Sequence, residues 1–141
     1  MKTTEMFAAH PRKLTMDVTA ITECIKSLVE CADVCTSCAD ACLGEQMVQN
    51  LTKCIGLNLD CADICQTTAR ILARQTDPVP QLLRTQLESC AVACRLCMQE
   101  CEVHSEMHQH CRICRASCQN CEKICQDLIS RLSEGTRTTF L

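Results

Sequence analysis

Cysteine recurs along this chain at intervals of three, four and seven residues. In a helix turning about 100° per residue, those intervals return to one face. The positions are Cys24, Cys31, Cys35, Cys38 and Cys42, then Cys54, Cys61 and Cys65, then Cys90, Cys94, Cys97 and Cys101, then Cys111, Cys114, Cys118, Cys121 and Cys125. The first five fall within an arc of roughly 60° and the last five within roughly 80°. Leucine and isoleucine normally make such a stripe, on the inward face of a helical bundle. Here cysteine takes their place.

Glycine and proline, three of each, divide the chain into four long segments. The first is expected to run from about Val18 to Leu43, with Gly44 in the left-handed cap conformation. The second runs from about Met47 to Arg74. Asp77 is placed to cap a third, with Pro78 in its first turn, and that helix reaches about Val103 or beyond. The fourth runs from about His108 to Ser133, with Gly135 just past its end. Gly56 lies inside the second segment at a cost of roughly 1 kcal/mol relative to alanine. β-Branched and aromatic residues are too few for strands. Short connections between long helices imply an all-α fold, an antiparallel up-down-up-down four-helix bundle with a cysteine-lined core. The corresponding division is an N-terminal arm over residues 1–17, the bundle over 18–135 and a C-terminal tail over 136–141.

Seventeen cysteines in 141 residues is about 12%, above the roughly 8–10% at which cysteine alone becomes diagnostic. A chain of this length can bury a core without staples, so size does not force a disulfide framework. The first sixteen residues include Lys2, His10, Pro11, Arg12 and Lys13 and no apolar run of signal-peptide length. A reducing cytosol is therefore expected, where abundant cysteine points to metal or catalysis. The net charge of −3 and scattered basic residues give no footprint for nucleic acid. No apolar stretch approaches the roughly 18 residues that span a bilayer. The only aromatics, Phe7 and Phe140, lie near the termini, which leaves aliphatic side chains and sulfur for the central core.

Cysteine is small, so a core seamed with it is underfilled unless something occupies the space. Disulfides are disfavoured, because thiols three or four residues apart on one helix are poorly directed for the S–S torsion and the cytosol opposes oxidation. Zinc needs closed four-sulfur sites, and Cys94, Cys97, Cys111 and Cys114 do make a pair of C-x2-C units. The remaining cysteines continue the stripes without a break, which a discrete zinc site does not require. Cu(I) fits best: it is soft, selects thiolates and accepts two or three of them. One monovalent ion per thiolate also cancels charge that would otherwise be prohibitive to bury. With each thiolate bridging two ions, capacity is about one ion per cysteine, on the order of 15–20. The C-x-x-C units Cys35/Cys38, Cys94/Cys97, Cys111/Cys114 and Cys118/Cys121 lack the βαβ setting of a thioredoxin-like redox site. No Glu-x-x-His occurs, which excludes a ferritin-like carboxylate enzyme, and no catalytic role is assigned.

In that topology the connections after the first and third helices share one end. His104, Met107, His108 and His110 surround one connection, and Met47 follows the other. Continuing the angular count places His104 and His108 on the extension of the Cys90–Cys101 stripe and Met47 on the line of Cys54 and Cys61. These side chains read either as soft ligands at a mouth or as a solvated turn with packing methionines. Met98 lies to the side of its stripe as packing, and His10 has no role. At the far end Ile21, Leu72, Leu83, Leu87 and Ile129 supply aliphatic bulk that closes the tube. Asn58 and Thr68 fall near the stripe of the second helix, Asn58 reading as a hydrogen-bonded core residue in preference to a weak oxygen donor. Ile55 and Leu59 point away from it, beside Gly56, as a candidate subunit contact.

The run C-x6-C-x3-C-x2-C-x3-C over Cys24–Cys42, the run C-x3-C-x2-C-x3-C over Cys90–Cys101 and the dense Cys111–Cys125 run resemble the bacterial copper storage proteins, over about Val18 to Ser133. The resemblance implies a four-helix bundle whose core cysteines hold many Cu(I) ions, with a histidine- and methionine-rich mouth. Without an export signal the chain resembles the cytosolic subgroup, which implies a homotetramer. Carried over by position, all seventeen cysteines become Cu(I) ligands and His104, His108 and His110 become mouth ligands. The implied role is to limit copper toxicity, to supply copper proteins, or both, in exchange with a chaperone or acceptor protein. The competing function is a low-stoichiometry copper chaperone or sensor.

Overall fold

A computed structural model describes the backbone of residues 2–139 and the side chains of residues 2–132. The chain is all-helical over the described residues: α1 spans Lys2–Ala8, α2 Val18–Leu43, α3 Thr52–Leu72, α4 Pro80–His104 and α5 Gln109–Thr139, with one 3-10 turn at Val48–Asn50 between α2 and α3. The helix α2 packs against α3 and α5, and α4 packs against the same two.

One repeat explains why these segments pack as they do. On α2 the buried seam reads Ile21, Cys24, Leu28, Cys31, Cys35, Cys38, Cys42. On α3 it reads Cys54, Asn58, Cys61, Cys65, Thr68, Leu72, and on α4 Leu83, Leu87, Cys90, Cys94, Cys97, Cys101. On α5 it reads Cys111, Cys114, Cys118, Cys121, Cys125, Leu128, Leu132. Every step is three or four in alternation, the heptad pattern that keeps one seam facing its neighbours. The strict repeat also accounts for one departure from expectation. Leu128 and Leu132 are buried while Ile129 is only partly so, because a 3.5-residue seam drifts about 20° per heptad around a 3.6-residue helix.

The helix ends differ from the sequence reading in several places. Asp17 caps α2, its carboxylate accepting from the Thr19 amide at 2.9 Å. Gly44 sits at φ −84°, and among the described residues none has a positive φ, so α2 ends without a left-handed cap. Met47 lies outside any helix; α3 begins at Thr52, after the 3-10 turn. Asp77 does not cap α4, whose N-cap is Val79 and whose first residue is Pro80. Pro80 suits that place because its missing N–H is not needed there, and both prolines keep Asp77 two residues too early. The last helix runs on through Gly135 to Thr139: glycine weakens a helix interior without forbidding it. Phe140 and Leu141 lie outside the described residues.

The N-terminal arm carries the short helix α1, whose Phe7 is buried in the same core cluster as the leucines and cysteines. Its connection to α2 is tied to the α3–α4 connection by His10 Nε2 and the Thr76 hydroxyl at 3.2 Å and by Arg12 donating to the Thr76 carbonyl at 3.3 Å. With Ile21, Leu72 and Leu87 at 0% exposure, that end is a conventional apolar core. Sulfur fills the middle.

Candidate metal centre

All seventeen cysteines are free and buried. The helices set them against one another by neighbouring pairs. Between α3 and α4, Cys54 meets Cys101 at 3.9 Å, Cys61 meets Cys94 at 3.8 Å and Cys65 meets Cys90 at 3.7 Å. Between α2 and α5, Cys35 lies 3.7 Å from Cys114 and 3.6 Å from Cys118, and Cys31 lies 3.9 Å from Cys118. These are contact distances between sulfurs, far beyond the roughly 2.05 Å of a disulfide. A metal bonded to sulfur at about 2.3 Å in a tetrahedron holds its sulfurs roughly 3.8 Å apart, so the core is already spaced for metal.

Several groups bring their sulfurs within 4.8 Å of one another: Cys31, Cys65, Cys94 and Cys121; Cys31, Cys35, Cys61 and Cys118; Cys35, Cys97, Cys114 and Cys118; Cys38, Cys42, Cys54 and Cys111; and Cys38, Cys101 and Cys114. The groups overlap. Cys31, Cys35, Cys38, Cys114 and Cys118 each serve in two of them. A closed four-sulfur zinc site keeps four thiolates to itself, whereas shared sulfurs suit soft monovalent ions joined by bridging thiolates. The C-x2-C pairs that suggested zinc do not close on one site: Cys97 and Cys114 share a group with Cys35 and Cys118, but Cys94 falls with Cys65 and Cys121, and Cys111 with Cys42 and Cys54.

Asn58, at 0% exposure, is held by the sulfurs around it. Its Nδ2 donates to the Cys54 carbonyl at 2.9 Å and to Cys54 Sγ at 3.3 Å. Its Oδ1 accepts from the Cys114 thiol at 2.9 Å and the Cys97 thiol at 3.2 Å. This is the hydrogen-bonded core asparagine that the sequence favours. Thr68 is also buried, its hydroxyl donating to the Ile64 carbonyl at 2.7 Å.

At the α2–α3 and α4–α5 end one histidine approaches the sulfur. His110 Nδ1 lies 3.4 Å from Cys38 Sγ and 3.6 Å from Cys111 Sγ. His104 is the last residue of α4, its Nε2 3.0 Å from Glu100. His108 lies between α4 and α5, so the angular count carried past His104 does not apply to it. It instead stacks on His110, ring centroids 5.4 Å apart, and contacts Glu45. Met47 and Met107 are at this end but turned outward, at 51% and 80% exposure. Glu45 and Glu100 were not singled out by the sequence. Glu100 was legible as an i,i+4 partner of His104; Glu45, from a different connection, carried no periodic signal.

At the histidine end of the empty core, burial favours the protonated form of two thiols. Burial pushes Cys42 up to about 11 and raises Cys111 as well. Beside them, shared protons divide unequally: hydrogen bonding from Cys101, then Cys38, lowers Cys54, while Cys101 is raised, chiefly by Cys114. Metal binding here exchanges protons for ions, since the thiolate is the ligand.

The copper storage protein family matches residues 17–130. Among solved structures, the copper storage protein Ccsp from Streptomyces lividans loaded with 10 copper equivalents is 42% identical with a TM-score of 0.89, the match covering 91% of this chain and 98% of that one. A second, described as copper loading (five coppers) to a cytosolic copper storage protein from Streptomyces lividans, is 46% identical with a TM-score of 0.79, over 79% and 93% of the two chains. No curated protein sequence matches the chain. With a sulfur-lined helical core, a family match over most of its length and these solved relatives, the chain belongs to the copper storage protein family.

Proposed function

We propose that this protein is a high-capacity cytosolic store of Cu(I), limiting free copper, supplying copper proteins, or both. The observation that carries the reading is the overlap of the thiol groups: five cysteines each belong to two candidate sites, so the core is a continuous lattice of ligands. In this reading all seventeen cysteines bind Cu(I) at about one ion per thiol, on the order of 15–20 ions. His104, His108 and His110 form the mouth, and Met47 and Met107 offer thioethers outside it. The solved relative loaded with 10 copper equivalents supports storage over a one-site carrier or sensor. The location rests on the relative described as cytosolic.

The four long helices form an antiparallel up-down-up-down bundle over residues 18–135, flanked by the arm and the tail. Two sets of pairings support that topology: Cys54 with Cys101 and Cys65 with Cys90, and Cys38 with His110 and Cys31 with Cys118. In each, the residue later on one helix meets the residue earlier on the next. Bundles assemble as homotetramers in the subgroup that the sequence resembles; Leu59, 46% exposed, and the open space over Gly56 fit a helix face free to meet another copy. A chaperone donates or accepts the ions, and the chain catalyses no reaction.

Copper K-edge X-ray absorption of anaerobically loaded protein tests the coordination. Two or three sulfurs around each copper, with short copper–copper vectors, are expected. Isolated four-sulfur sites would overturn the reading.

A further inference from the structure

Glu45 lies two residues beyond the end of α2, and nothing in the storage chemistry above assigns it a role. Its Oε2 contacts His108 Nδ1 and lies 3.4 Å from His110 Nε2. The two rings stack, 24° from parallel. The other ring nitrogen of His110, Nδ1, faces Cys38 Sγ at 3.4 Å and Cys111 Sγ at 3.6 Å. One carboxylate from the α2–α3 connection therefore holds two imidazoles, His108 of the α4–α5 connection and His110 of the first turn of α5, and the latter is aimed at the outermost sulfurs.

A neutral imidazole carries one N–H and one lone pair, and the hydrogen bond at one nitrogen decides which is which. We propose that Glu45 is the positioning residue of the mouth: by accepting the Nε2–H of His110 it fixes the tautomer whose Nδ1 lone pair faces Cys38 and Cys111. In that tautomer Nδ1 accepts from either thiol in the empty protein and is free to bind an ion when the thiols give up their protons. Carboxylates behind metal-binding histidines hold the ring orientation and raise its basicity. The same contact holds His108 with Nδ1–H toward Glu45 and Nε2 unengaged by it. His104 has a comparable partner in Glu100, but Glu100 lies on the same helix and is shared with Lys53 at 3.8 Å. Glu45 is different in joining the two connections that frame the mouth. This inference rests on the copper-store reading for its purpose, though its geometry concerns the empty protein.

A plain surface ion pair would contribute little and would not select a tautomer. The test uses the full-length, reduced, copper-free protein labelled with nitrogen-15, in which long-range proton–nitrogen spectra distinguish the ring tautomers. His110 is expected as the Nε2–H form. Glu45→Ala is expected to give a mixture, and Glu45→Gln, whose amide oxygen still accepts, to retain the wild-type form. In chelator competition, Glu45→Ala should weaken Cu(I) binding at the His110 site about 10–100-fold, and the effect should vanish in a His110→Ala background. An unchanged tautomer in Glu45→Ala, or an equal loss without His110, would overturn the proposal. Wild-type protein that binds only one or two Cu(I), with the tautomer change still seen in Glu45→Ala, would overturn the storage reading instead.

Discussion

The thiol of Cys114 on α5 lies 2.9 Å from Oδ1 of Asn58 on α3, and the Cys97 thiol of α4 meets the same oxygen at 3.2 Å. A single amide thus joins three helices within the sulfur-lined part of the core. Its hydrogen-bonding capacity is used on both sides, which is what makes a fully buried amide tolerable.

Replacing Asn58 with leucine removes those bonds at similar volume. The empty, reduced protein is expected to lose about 1–2 kcal/mol, because the buried thiols and the helix carbonyl lose their partner. Urea denaturation under reducing conditions measures it. A more stable empty protein would show that the amide is carried at a cost to the fold, as an oxygen donor for metal would be.

The two kinds of core residue should separate stability from capacity. Leu87 is fully buried at the apolar end, and Leu87→Ala should destabilise the empty protein by about 2–5 kcal/mol. Cys94, in the group with Cys31, Cys65 and Cys121, has less volume to lose. Cys94→Ala should cost about 1 kcal/mol in the empty state yet lower the copper capacity. Unfolding midpoints and titration endpoints for the two variants check both arms; a capacity unchanged by Cys94→Ala would remove that sulfur from the site.

Alkaline pH should weaken the empty protein. Cys42 is pushed by burial up to about 11, and Cys111 is raised for the same reason. A thiol with a higher pKa folded than unfolded favours the folded state while both states keep the proton. That contribution is complete below the ordinary thiol value of about 8.5 and is lost as pH rises through the folded value. Stability should therefore fall by about 2 kcal/mol between about pH 8 and about pH 10.5, read as a lower denaturant midpoint in reduced, copper-free protein. A flat or rising profile would contradict it.

How far the molecule was legible in advance follows from where periodicity reaches. The seams of α2 to α5 are a heptad, and sulfur occupies it by the same rule as leucine, so Cys24 to Cys125 were readable as one inward face. Helix ends were less so. Gly44 marked the end of α2 correctly, but at φ −84° it needed none of glycine's freedom. Pro80 outweighed the capping signal of Asp77, because a proline at the first helical position fixes where the helix starts. Contacts between segments distant in sequence leave no repeat, which hid Glu45 as the partner of His108 and His110, although both histidines were named. Phe7 was visible as an aromatic but not as a core residue, since seven helical residues give too few turns to show a face.

The histidines should govern access more than capacity. With His110 against Cys38 and Cys111, His108 stacked on it and His104 ending α4 nearby in sequence, changing all three to alanine should slow Cu(I) uptake several-fold in stopped-flow transfer from a carrier ligand. Most of the capacity rests on sulfur and should survive. A collapse in capacity would place these residues among the principal storage ligands.

The most direct measurement is an anaerobic titration of fully reduced protein with Cu(I) against a chromogenic chelator. Uptake on the order of one ion per cysteine, about 15–20 per chain, is expected from a bridged thiolate core. Saturation at one or two equivalents would contradict storage and identify a carrier.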